Sequence, residues 1–85
     1  MYVIATHEVN DVQHWFDSTQ RAEFFAARGM KATAFRDPSG ESNAVAVLID
    51  TPDMATLQAA METPEAAEAE KHDGVRIETL KILVP

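Results

Sequence analysis

The alternation of apolar and polar positions divides this chain into short segments of two periods. Tyr2 to Val9 is rich in β-branched and aromatic residues and predicts a strand, with Val3, Ala5 and Val9 on one side and Tyr2 and Ile4 on the other. Asn10 ends it as the expected N-cap of a helix, with Gln13 placed to complete a capping box. Apolar positions at Val12, Trp15, Phe16, Thr19, Ala22 and Ala26 then recur at helical spacing and predict one helix from Asp11 to Arg28, closed by Gly29. Phe24 lies off that stripe and Phe25 at its margin, so at least one of the two rings is expected to point away from the chain's own core.

Met30 to Arg36 and Ser42 to Ile49 read as two strands joined by Asp37-Pro38-Ser39-Gly40, which has the residues of a tight turn. Thr51 is the expected N-cap of the next helix, with Pro52 in its first turn and Met54, Leu57 and Met61 as its apolar stripe. Thr63-Pro64-Glu65 repeats that start signal and predicts a second, mostly polar piece from Glu65 to Lys71, stopped at Asp73-Gly74. Val75 to Val84 reads as a long final strand, with Val75, Ile77 and Leu83 on one side and Leu80, Ile82 and Val84 on the other.

The resulting order, β-α-β-β-α-β, predicts an α+β ferredoxin-like sandwich over residues 1–85: a four-stranded antiparallel sheet with its helices on one face. Both sides of the first and last strands are apolar, and helices cover only one side. A homodimer closed through the open sheet face is therefore expected.

Charge and composition narrow the partners. Fourteen Asp and Glu against seven Lys and Arg give a net charge of −7, which disfavours nucleic acid and anionic membrane surfaces. There is no cysteine, hence neither a disulfide framework nor a thiolate nucleophile, and no apolar run approaches the ~20 residues of a spanning helix. A cytoplasmic protein is expected. No glycine-rich phosphate loop or serine-histidine-acid spacing is present, and His7-Glu8 is not followed by a second histidine four residues later, so neither a cofactor nor a metal is expected.

The candidate chemistry rests on histidine. His7 sits among the inward residues of the first strand, where an imidazole needs a partner and where its pKa suits acid/base work; the alternative is a satisfied structural group at a subunit edge. His72, in Glu70-Lys71-His72-Asp73, stands at a helix end where a cation complements the dipole. Trp15, Phe16, Phe35, Met54, Leu57 and Met61 are core residues by type and equally the walls of an apolar pocket for a small apolar or aromatic ligand.

The opening strand Met-Tyr-Val-Ile-Ala-Thr-His-Glu-Val, the entry from Asp11 to Trp15, the Asp-Pro-Ser-Gly hairpin, Ala-Val-Ala-Val-Leu-Ile-Asp and the Thr63-Pro64-Glu65 restart together resemble the dimeric α/β-barrel superfamily. The resemblance is to its small members like the antibiotic-biosynthesis monooxygenases, and it spans nearly the whole chain. It implies a cavity between sheet and helices, and a cofactor-independent monooxygenase acting on a small aromatic, quinol or polyketide-type substrate, with a cavity histidine abstracting the proton. Cyclase-like members pair a Tyr with a His near the end of the second helical region; His72 occupies a comparable place and Tyr2 is the only tyrosine, which implies Tyr2 as a ligand contact and His72 as a second catalytic candidate. A polyketide cyclase or isomerase, or a non-catalytic binding or structural dimer, are the alternatives on the same fold.

Overall fold

The computed structural model describes residues 1–85. In chain order it has β1 (Tyr2–Val9), α1 (Val12–Asp17), α2 (Gln20–Ala26), β2 (Lys31–Arg36), β3 (Ala44–Asp50), α3 (Met54–Met61), α4 (Pro64–Asp73) and β4 (Val75–Leu83). The four strands form one antiparallel sheet in the order β2-β3-β1-β4, the topology expected of a ferredoxin-like sandwich. Val3, Ala5, Val9, Val45, Val47 and Ile49 face the helices and close with Trp15, Phe25, Met30, Leu57 and Ala60 into one core.

The predicted single helix from Asp11 to Arg28 is two helices. Ser18 is extended at φ −65°, ψ 132°, and its hydroxyl accepts from the Gln20 amide at 3.3 Å, a local bond that competes with helix continuation. The break re-phases the second helix against the sheet. Ala22 and Ala26, on the predicted stripe, are exposed, whereas Phe25 is buried and Phe24 half-buried against the core. Neither phenylalanine points away from it.

Two caps also move by one or two residues. Asp11, not Asn10, caps α1, accepting from the His14 amide at 3.0 Å. Asn10 instead joins β1 to β4: its amide donates to the Gly74 carbonyl at 3.0 Å, and its Oδ1 accepts from Arg76 Nε at 2.9 Å. Asp53 rather than Thr51 caps α3, while the buried Thr51 hydroxyl donates to the Asp53 carbonyl at 2.9 Å. In both cases a carboxylate next to the first helical residue takes the N-cap position. Thr63 caps α4 as expected, and Gly74 ends it at φ 73° in the left-handed region.

β4 differs from simple alternation. Its pairing with β1 shifts register between Thr6 and Glu8, so that both Val75 (opposite Val9) and Ile82 (opposite Ala5) face the helices. The Thr79 hydroxyl holds the irregularity, accepting from the Glu8 amide at 2.8 Å and donating to the Arg76 carbonyl at 2.6 Å. Val75 thus joins Leu80 and Ile82 rather than opposing them, and Leu83 lies with Ile4 on the other face.

That other face carries no helix. Tyr2 (59% exposed), Ile4 (41%), Phe35 (51%) and Leu83 (53%) stand there in water, with Leu48 between Ile4 and Thr33 in the ladder.

Candidate functional site

A cavity of about 80 Å³ lies between the sheet and the helices, room for several waters at about 10–15 Å³ each. Its walls are mainly apolar, from Ala5, Val47, Ile49, Val75, Leu80 and Ile82 on the sheet and Trp15, Phe24, Phe25, Leu57 and Met61 on the helices. Four polar side chains interrupt them: His7, Arg21, Glu70 and Asp73.

His7 reaches the cavity because it shares the inward face of β1 with Val3, Ala5 and Val9. It is 7% exposed, its ring meets Trp15 edge-on at 5.6 Å between centroids, and its buried Nδ1 has no hydrogen-bond partner in the protein. Burial pushes its pKa below the ordinary value, opposed by the Glu8 backbone and assisted by the Arg21 charge. Burial thus favours the neutral imidazole, and the residue lines the cavity although Nδ1 itself is closed off from solvent.

Arg21 comes from α2, where the re-phased helix turns position 21 inward. Its guanidinium lies 4.2 Å over the Trp15 ring and donates to the Trp15 carbonyl at 3.2 Å. Desolvation lowers its pKa while Asp73 raises it. Glu70 and Asp73 come from one side of α4; burial raises the Glu70 pKa, and Asp73, 3% exposed, accepts from His72 Nδ1 at 2.9 Å. A desolvated base, a cation on an indole face and a carboxyl with raised affinity for protons thus meet in an otherwise apolar space. Such a set can take a proton from a ligand and balance the charge that results.

Of the residues singled out from the sequence, His7, Trp15, Leu57 and Met61 line the cavity. Phe16 and Met54 pack against the core outside it, Phe16 under the Arg36 guanidinium at 4.0 Å. Tyr2 and Phe35 lie on the opposite face of the sheet, because even positions of β1 and odd positions of β2 point away from the helices. The His72 imidazole is exposed at the end of α4 and reaches the cavity only through Asp73. Arg21, Glu70 and Asp73 escaped sequence reasoning, since charged residues on amphipathic helices read as solvated; only the Ser18-Thr19 break hinted that position 21 faces inward.

No family model matches the sequence, and no curated protein matches it. Among solved structures, one described as an antibiotic biosynthesis monooxygenase from Bacteriodes thetaiotaomicron superposes with a TM-score of 0.63 over 100% of this chain and 88% of its own, at 17% identity. A second structure, also described as an antibiotic biosynthesis monooxygenase, gives a TM-score of 0.64 over 99% of this chain and 98% of its own, at 15% identity. This chain shares the antibiotic biosynthesis monooxygenase fold. At such identities the likeness is one of backbone. In this monooxygenase-like fold the polar groups of the cavity are the chain's own His7, Arg21, Glu70 and Asp73. No helix is long and apolar enough to cross a membrane.

Proposed function

We propose that this chain is a cofactor-independent monooxygenase-like enzyme for a small aromatic, quinol or polyketide-type molecule, working as a homodimer closed over the open sheet face. The observation that carries the reading is His7, which lines the cavity while its buried Nδ1 has no partner in the protein. A buried polar atom left unpaired costs about 1–3 kcal/mol, a cost that a bound hydroxyl or enol would remove. Transfer of that proton to the neutral imidazole leaves an electron-rich oxyanion able to react with dioxygen, and the Arg21 guanidinium is placed to balance its charge. The apolar walls keep the anion from being solvated. The two structures sharing the fold and described as monooxygenases support the direction of the reading. The exposed Tyr2, Ile4, Phe35 and Leu83 support the pairing of two sheets.

The test is turnover of a quinol or anthrone with oxygen uptake recorded, in the wild type and in His7→Gln, with folding checked by circular dichroism. A loss of about 10²–10⁴-fold in turnover is expected for a proton-transfer residue. Unchanged turnover in a folded His7→Gln protein overturns the assignment. The same proton abstraction begins an aldol cyclisation or an isomerisation, and product formed at full rate without oxygen would move the reading to that class.

A further inference from the structure

We propose that His14, His72 and Asp73 form a binding site for a borderline divalent transition-metal ion of the zinc type. Their candidate ligand atoms, two imidazole nitrogens and a carboxylate oxygen, lie within 4.8 Å of one another. His14 stands in the first turn of α1, His72 and Asp73 in the last turn of α4. Fifty-eight positions separate the two histidines, so no local spacing in the sequence announces the site. The fold brings them together where Asn10 ties the end of β1 to Gly74 and Arg76, and His14 Nε2 meets the His72 carbonyl oxygen at 2.8 Å.

The donor set selects the ion. Imidazole and carboxylate together suit zinc, nickel, copper or cobalt, whereas magnesium and calcium are held by oxygen alone. Asp73 is 3% exposed, so its carboxylate is fixed by packing, and its Oδ1 lies 2.9 Å from His72 Nδ1 with a proton between them. An ion displaces that proton and holds the same two atoms; His14 exchanges its bond to the His72 carbonyl for the third ligand position. Beside the trio opens a polar recess that includes Asp11, Asp17, His14 and His72, through which an ion enters and water completes its shell. The net charge of −7 favours the cation's approach. Asp73 also lines the apolar cavity, so an ion would draw on the same carboxylate that faces Arg21.

The experiment is calorimetric titration of the untagged chain with zinc, alongside His14→Phe and His72→Ala. His14→Phe keeps the ring packed against position 72, now 5.3 Å between centroids, but offers no donor, so folding is preserved while the ligand is lost. The expected result is saturable binding of one ion per chain, weakened about tenfold or more in each variant. Excess magnesium should leave it unchanged. In imidazole-detected NMR, His14 and His72 should respond to zinc while His7 does not. Absence of saturable binding up to millimolar zinc, binding of wild-type strength in either variant, or a response centred on His7 would each overturn the proposal.

Discussion

Replacing His7 with leucine should make the protein more stable, because the imidazole is held where its chemistry costs folding energy. The side chain is 7% exposed and Nδ1 has no partner in the protein. An apolar group of comparable size removes an unpaired buried atom costing about 1–3 kcal/mol. It also forfeits the edge-on contact with Trp15 at 5.6 Å, a type of pair contributing about 0.5–1.5 kcal/mol. The balance favours His7→Leu by about 1 kcal/mol at pH 7, or roughly 4–8 °C in melting temperature for a chain of this size. Acid should widen the gap. The folded-state pKa lies below the unfolded value of 6.5, so the unfolded chain binds the proton first and wild-type stability falls as pH drops through 6.5. Leucine has no such dependence. Urea unfolding followed by emission of Trp15, the only tryptophan, at fixed protomer concentration and at pH 7.0 and 5.5 measures both effects. A variant destabilised by more than about 1 kcal/mol at both pH values, with the pH slope unchanged, would show that Nδ1 is satisfied in solution, and the argument from an unpaired base would fail.

Two further outcomes probe other parts of the fold. Ile4→Asp, on the open face next to Leu48 and Leu83, should leave the fold intact by circular dichroism and shift sedimentation at micromolar concentration from two chains to one; a wild type that already sediments as one chain would dispose of the proposed dimer. Thr79→Val removes the hydroxyl that accepts from the Glu8 amide and donates to the Arg76 carbonyl. It should cost about 1–2 kcal/mol in urea unfolding, and a cost near zero would mean that the β4 irregularity does not need its side chain.

How far the sequence carried the reading depended on the physics at each position. Thr63-Pro64, Gly74 and the Asp37-to-Gly40 turn were readable because caps and turns are local: a side chain meets a backbone group a few residues away. The register shift in β4 was not, because Thr79 finds its partner Glu8 on another strand, 71 residues distant. The helix break at Ser18 could have been read, since a Ser-Thr pair competes for backbone donors, but the alanines at 22 and 26 sustained a false stripe across it. For the candidate site, periodicity placed His7, Trp15, Leu57 and Met61 beside the cavity. It could not place Arg21, Glu70 and Asp73, whose inward position follows from the re-phased α2 and from the way α4 packs.

The interruption in β4 also protects the molecule. β4 is a border strand, and an unbroken border of free amides and carbonyls invites a stray chain to add itself in a continuous ladder. Here the slip between Arg76 and Lys81 divides that border into two short runs. An incoming strand aligned with one run is out of step with the other, which discourages side-by-side addition along the β4 edge.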